Sequence, residues 1–382
     1  MPALNQRIRR LRKDEFTIGA EIGRGGESIV YPANIPGAPD PNYYVAKKLH
    51  LLVDAANLGL EAHEVALIAA KMEENLNIWA AMPEHPNVLP LSAVHLDTLS
   101  IDLPLQPRVD IPNVPLYVFS PRYATTVDQW LQTRGRALSP ADLVSKISHI
   151  LQQAAAGLAH MHAYGIVHRD LKLNNLFCND DATVVVVADL GLIKEDALTS
   201  KWSSISGNPQ NMAPEMLFTR RNQQSGSAES QYSVTADVWS FAMLMFEMLG
   251  KALNDNRLEN WVYNKYSTKV TFDPITHKPD RPRTAEQQAA MRLDVNAHLA
   301  GRYPPCIQDL FAMRTRQESG AASSLMEVAL QLDCRFRGSM EHCLTALELA
   351  QCKAERDRQA AIIAAMAERQ PAQATAMDWL GF

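Results

Sequence analysis

The sequence predicts an α+β protein in two lobes: a small β-rich lobe with one main helix, then a larger, mostly helical lobe. Three observations carry that expectation. Apolar alternation broken by a glycine turn fills residues 14–49, as in a sheet of short strands. After about residue 124 the pattern changes to long runs at helical spacing, rich in Ala and Leu. The chain of 382 residues is long enough for two such lobes and an extension.

The elements follow in order. Phe16, Ile18 and Ala20 alternate, a glycine turn sits at 23–26, and Ile29-Val30-Tyr31 continues as a strand. A loop rich in Pro, Gly and Asn over 32–42 leads to a strand at 43–49. Residues 54–82 read as a helix that Pro83 and Pro86 end. Strands are expected at 89–96 and 116–119, with the Pro-rich stretch 97–115 as a loop between them. Residues 127–134 and 140–164 read as helices, and 233–249 as an apolar helix bearing Asp237 and Trp239. Residues 325–332 and 340–351 also look helical. Residues 220–231 read as a flexible insertion, and 264–300 are polar with weak patterning. The expected divisions are an arm over 1–13, the small lobe over 14–119, the large lobe over 120–352 and a helix and tail over 353–382. The junction between unequal lobes is where a ligand cleft is expected.

At 47% hydrophobic and 21% charged residues, the composition is that of a soluble globular protein. The net charge of -5 gives no general pull toward nucleic acid or anionic membrane. A basic cluster near the start (Arg7, Arg9, Arg10, Arg12, Lys13) reads as a solvated, frayed arm, or as a dock for an acidic partner. The five cysteines contain no CxxC pair, which argues against a structural zinc site or a disulfide framework. No apolar run reaches the ~18 residues that a membrane helix needs, and the start shows no signal-peptide pattern. A cytoplasmic location is expected, a host cytosol included if the chain is a translocated effector.

The densest chemistry lies at residues 168–175, His168-Arg169-Asp170-Leu171-Lys172-Leu173-Asn174-Asn175. One short loop supplies a carboxylate, an ammonium and an amide. A β-forming run at 183–187 then delivers a second carboxylate in Ala188-Asp189-Leu190-Gly191. This is equipment for moving a phosphoryl group with magnesium and a nucleoside triphosphate. Earlier come Ile22-Gly23-Arg24-Gly25-Gly26-Glu27-Ser28-Ile29-Val30 and Val45-Ala46-Lys47-Lys48; later come Met212-Ala213-Pro214-Glu215 and Asp237-Val238-Trp239-Ser240. The ordered set, covering roughly residues 14–350, resembles the eukaryotic-type (Hanks-type) serine/threonine protein kinases.

The resemblance implies a bilobal protein-kinase-like fold and a role for each matching residue. Ile22, Gly23, Gly25 and Val30 would cover ATP, Ser28 standing in for the third glycine. Ala46 would line the adenine pocket and Lys48 would hold the α- and β-phosphates, with Lys47 turned to solvent; a register slip by one gives Lys47 the role. Glu74 would orient that lysine, with Glu73 and Glu64 as rivals; helix phase also brings Asn75 to that slot, which would deprive the lysine of a charge partner. Phe119 would guard a back pocket, and backbone groups at Ser120 and Arg122 would read the adenine edge across Pro121. Asp128 either touches the ribose or caps a helix.

Asp170 would accept the substrate hydroxyl proton, Lys172 would neutralise the moving phosphoryl group, and Asn175 and Asp189 would bind Mg2+. Arg169 would pair with a phosphate on the segment after Asp189, which holds Thr199, Ser200, Ser203, Ser204 and Ser206. Glu215 would form a buried pair with Arg337. Asn208 and Asn211 replace a threonine and a tyrosine that the family usually carries, which bears on substrate recognition. The resulting expectation is a kinase transferring the ATP γ-phosphate to Ser or Thr of a protein substrate. The alternatives are a nucleotide-binding pseudokinase scaffold and a kinase acting on a small molecule or lipid.

Overall fold

The computed structural model describes residues 8–25, 28–40, 42–49, 62–103, 106–189, 211–214, 216, 234–253, 314–316, 322–324, 339–345, 347–348 and 359–360. Among the stretches assigned from sequence, 54–61, 220–231, 264–300, 325–332 and nearly all of 353–382 lie outside them.

The small lobe is one antiparallel six-stranded sheet. β1 (Thr17–Ile18) and β2 (Gly23–Arg24) both pair with β3 (Ser28–Asn34). The order then runs β3, β4 (Tyr44–Leu49), β6 (Gln106–Pro121) and β5 (Ala93–Leu103). Helix α1 (Ala62–Ala81) lies on β6. Its stripe of Ala69, Met72, Leu76 and Trp79 is buried with Val94, Val114 and Val118.

Register decides which side chains face α1 and the lobe junction. Val30 stands opposite Lys47, Lys47 opposite Val118, and Val45 opposite Ser120. Directly opposed residues share a face, so these five lie on one side of the sheet. Ala46, Lys48, Tyr117 and Phe119 lie on the other. There Ala46 and Phe119 are fully buried with Ala33, Ile35, Leu11 and Ala93.

Two expectations are corrected here. The stretch 97–115 is not a loop but the long part of a β5–β6 ribbon, with register shifts at His95/Leu96, Asp97/Leu99 and Ile101/Leu103. Its prolines are tolerated because β4 pairs only with residues 117–121 of β6, so farther out β6 has an open edge needing no N–H donor. Nor is the basic arm frayed in its described part. Arg10 forms a parallel bridge to Val94, Leu11 N–H donates to the Val94 carbonyl (2.8 Å) and Val94 N–H to the Arg9 carbonyl (2.9 Å). Leu11 is buried, and Phe16 packs edge-on against Phe119 at 4.9 Å. Apolar Ile8, Leu11 and Phe16, interleaved with the charges, dock the segment on the sheet.

In the large lobe, β7 (Thr125–Thr126), β8 (Leu176–Cys178) and β9 (Val185–Val187) form a small antiparallel sheet. Helix α2 (Val127–Thr133) starts at Thr126, whose hydroxyl accepts from the Gln129 N–H. Helix α3 (Pro140–Ala163) starts at Ser139, capped from Asp142 N–H with Pro140 in the first turn. The last long helix, α4 (Val234–Leu253), is buried almost all round and packs on α2 and α3. Arg314–Arg316 and Ala322–Ser324, β10 and β11, form a hairpin that the sequence did not reveal.

The lobes meet through backbone. Leu89 N–H donates to the Val187 carbonyl and Val187 N–H to the Asn87 carbonyl, both at 2.9 Å. The Asn87 amide donates to the Val185 carbonyl and to Gln153 of α3. Gly157 lets α3 come this close: a Cβ there would lie 2.3 Å from the Asn87 carbonyl oxygen.

Candidate active site

Loop 168–175 is held from below by a single carboxylate. Asp237, in the first turn of α4 and 1% exposed, accepts the His168 N–H at 2.7 Å and the Arg169 N–H at 2.9 Å. It also accepts from His162 Nε2 at 2.9 Å. Burial pushes its carboxyl up, but the bonds and charge from His162 and His168 outweigh that and hold it below its ordinary range. Arg169 sits at φ 68°, a left-handed conformation that this grip sustains in a non-glycine residue.

Within the loop, Lys172 Nζ donates to Asp170 Oδ2 at 2.8 Å. The Asn175 amide donates to the Asp170 carbonyl and, at 3.1 Å, to Asp170 Oδ2. Its nitrogen thus committed, the amide oxygen is the Asn175 side-chain atom left to accept. His168 Nε2 donates to the Ala188 carbonyl (2.8 Å) and Ala188 N–H to the Asn175 carbonyl (2.9 Å). Those bonds tie Asp189 to the loop. Asp189 itself has φ 59°.

Across the junction, Lys47 Nζ meets Asp189 Oδ1 at 2.5 Å. Lys48, expected to reach the cleft, instead lies over the Tyr117 ring on the far face, 6.0 Å from its centroid. Lys47 is not turned to solvent. The sheet register gives the reason: Ala46 and Lys48 do share a face, as strand alternation predicts, but it is the face away from the cleft. Ala46 therefore does not line the cleft, and Val45 faces that side instead. Phe119 is likewise on the far face, and Ser120, small and 7% exposed, occupies the cleft side at the end of β6.

Val30 shares the face of Lys47, and Ile22, whose N–H donates to the Val30 carbonyl, is 47% exposed. Gly23 and Gly25 have room: among the described residues an added Cβ would meet nothing nearer than 3.9 Å, and neither has a positive φ. Packing against the described residues thus does not require glycine there. The Arg122 N–H, expected to read a base, donates to the Tyr43 carbonyl at 2.7 Å. Asp128 neither caps α2 nor reaches the cleft; it accepts from Gln132 and pairs with Lys251 of α4 at 3.3 Å.

The helix acids are arranged differently from expectation. Glu74 is exposed on the outer side of α1. Glu73 takes the Arg10 guanidinium at 2.5 Å. At about 100° per residue, Glu73 and Asn75 flank the buried stripe on opposite sides. Arg10 lies outside β5 while Lys47 lies on β4, across β6, so the flank opposite Glu73 faces Lys47. Asn75, half-buried, is the residue on that flank; Glu64 shares it, its side chain outside the described residues.

Sequence reasoning missed Phe177. It alternates with buried Leu176 and Cys178 and so points out of the helical core, joining Leu89, Tyr123, Val186 and Ala188 at the lobe junction. Alternation in the run 176–178 was its signal. Asn211 N–H2 reaches Glu247 of α4 at 3.0 Å. Gly26, Leu190, Gly191, Thr199, Ser200, Ser203, Ser204, Ser206, Asn208, Glu215 and Arg337 lie outside the described residues. Among the described residues no cluster of three or more His, Cys, Asp or Glu could hold a metal.

A curled sheet, one helix against it, and a carboxylate–lysine–amide loop facing a lysine across a cleft define the protein kinases. The family model of the protein kinase domain matches residues 16–347, and the chain belongs to that family. The chain is 25% identical over 293 residues to the mitochondrial serine/threonine-protein kinase Pink1 of Tribolium castaneum, covering 66% of this chain and 50% of that protein. It is 34% identical over 122 residues to the Raf homolog serine/threonine-protein kinase of Caenorhabditis elegans, 30% of this chain and 14% of that one. It is 40% identical over 93 residues to the probable serine/threonine-protein kinase WNK8 of Oryza sativa subsp. japonica, 24% of this chain and 13% of that one. The chain thus spans half or less of these curated relatives. Among the described residues no helix is long and apolar enough to cross a membrane.

Proposed function

We propose that this protein is an active serine/threonine kinase that moves the γ-phosphate of ATP to a hydroxyl of a protein substrate, with Mg2+. The observation that carries the reading is the Lys47–Asp189 contact opposite the Asp170–Lys172–Asn175 cluster. The oxygen donors available, the Asp189 carboxylate and the Asn175 amide oxygen, suit a hard divalent cation. The open space at Gly23 and Gly25 suits a close approach of phosphate groups to the backbone, although the Gly25 N–H itself donates to the Ser28 carbonyl at 2.8 Å. Mg2+, when bound, supplies charge neutralisation to the phosphates.

The remaining work falls to this chain's own residues. Lys47, not Lys48, reaches the α- and β-phosphates. Asp170, steadied by the Asn175 amide, accepts the hydroxyl proton at its carboxylate. Lys172 sets positive charge beside Asp170, where the incoming oxygen and the phosphoryl group meet. Val30, Val45, Ser120 and Phe177 are the apolar and small surfaces for the base. Phosphate on the segment after Asp189 would be met by Arg169. The buried thiols Cys178 and Cys343, both pushed up to about 12 by burial, suit a reducing cytosol.

A pseudokinase scaffold is the second reading, favoured by Asn75 on the flank facing Lys47. Transfer of radiolabel from magnesium-ATP to a generic Ser/Thr protein substrate, comparing wild type with Asp170→Ala, separates the two. Transfer lost on Asp170→Ala supports the kinase; ATP binding without transfer in the wild type overturns it.

A further inference from the structure

We propose that residues 8–16 form an intramolecular strap that sets the position of α1. The activity arm of the argument rests on the kinase reading; the positional arm does not.

Four observations converge. The strap extends the sheet at its open edge through the Arg10–Val94 bridge and the reciprocal bonds of Val94 with Leu11 and Arg9. It is anchored by buried Leu11, by the His95 Nδ1 bond to the Leu11 carbonyl at 2.8 Å, and by Phe16 on Phe119. From this fixed base Arg10 reaches across to Glu73 on α1. On the opposite flank Asn75 is uncharged and the Glu64 side chain lies outside the described residues, while Lys47 is engaged by Asp189. A helix against a sheet is held in rotation by polar ties on its flanks as well as by its apolar stripe. Among the described residues the Arg10–Glu73 tie is on the flank of α1 away from Lys47, and its partner is the segment preceding the sheet.

The side chains of the pair are 53% and 30% exposed, so their mutual attraction is modest and the bulk of the hold comes from the docked backbone and Leu11. Arg10 acts through α1 and is a positioning residue. The test uses the full chain and four variants: Arg10→Gln, Glu73→Gln, the exchange Arg10→Glu with Glu73→Arg, and Leu11→Ala. Amide hydrogen exchange is followed in α1 and α3, with KM for ATP and kcat measured separately. Each single charge variant is expected to speed exchange in α1 about two- to five-fold, the ceiling for an exposed pair. It should leave α3 unchanged and raise KM more than it lowers kcat. The exchange variant should restore both readouts, and Leu11→Ala should exceed the charge variants in α1. Unchanged α1 exchange in the single variants, equal change in α1 and α3, or no rescue by the exchange variant overturns the strap. If the α1 pattern appears but no phosphate is transferred, the strap stands and the kinase reading falls.

Discussion

Replacing Asp237 by Asn should unfasten the loop at 168–175. The carboxylate accepts two adjacent backbone N–H groups on separate oxygens, His168 on Oδ2 and Arg169 on Oδ1, and a third donor from His162. An amide offers one oxygen. Whichever way it turns, an N–H2 group faces a backbone N–H, and His162 loses its charged partner. One hydrogen bond to a charged group is worth about 1.5–3 kcal/mol, and breaking a buried pair about 3–5 kcal/mol. At 1% exposure water cannot repair the loss, so we expect about 3–5 kcal/mol of destabilisation by urea unfolding. Phosphoryl transfer should fall as well, because Arg169 at φ 68° is held by one of the lost bonds. The pH dependence has a definite sign. The folded carboxyl is held below the ordinary 3.8, so its stabilisation is complete above that value and is lost as pH falls through the lower folded one. Asp237→Asn should therefore flatten the acid limb of the stability curve. A change under about 0.5 kcal/mol, the range of neutral surface substitutions, would refute the argument.

Three further outcomes are expected. Lys47→Met should abolish phosphoryl transfer in the radiolabel assay while Lys48→Met, on the Tyr117 face, keeps it within about a factor of ten, roughly 1.4 kcal/mol of barrier; the reverse order would disprove the sheet register. Gly157→Ala should cost about 2 kcal/mol or more in thermal unfolding, despite alanine's helix preference, because its Cβ meets the Asn87 carbonyl at 2.3 Å; a neutral result would mean that α3 does not approach the joint so closely. Ser120→Phe should fill the cleft side of β6 and weaken ATP binding by at least tenfold in a titration, at a cost of about 1–3 kcal/mol in unfolding because Ser120 is buried; unaltered binding would remove Ser120 from the cleft wall.

The loop chemistry was legible because it is contiguous: His168, Asp170, Lys172 and Asn175 need no long-range information to be recognised. Helices α2 and α3 were legible through Thr126, Ser139 and Pro140, which mark their starts locally. What failed depended on pairing. Strand alternation correctly grouped Ala46 with Lys48, but only the partner strand says which face meets α1, and a one-residue shift inverts every assignment. The same inversion carried Phe119 away from the cleft and brought Ser120 to it. The prolines of 97–115 suggested a loop because nothing local shows that β4 stops pairing at residue 117 of β6.

The described non-glycine residues at positive φ are Arg169, Ala182 and Asp189, and two of the three adjoin the proposed chemistry. Such conformations cost about 1–3 kcal/mol each and last only where surrounding bonds over-determine them. For Arg169 the restraint comes from Asp237, 68 residues later in the chain. For Asp189 it comes from the Ala188 bonds to His168 and Asn175 and from Lys47, 142 residues earlier. The residue types of the site can therefore be read from two short motifs, while its working shape is imposed from a distant helix and a distant strand. The same logic accounts for the strap. Arg10 and Leu11 act on α1 from the flank opposite Lys47, so the position of that helix too is set by contacts remote in sequence.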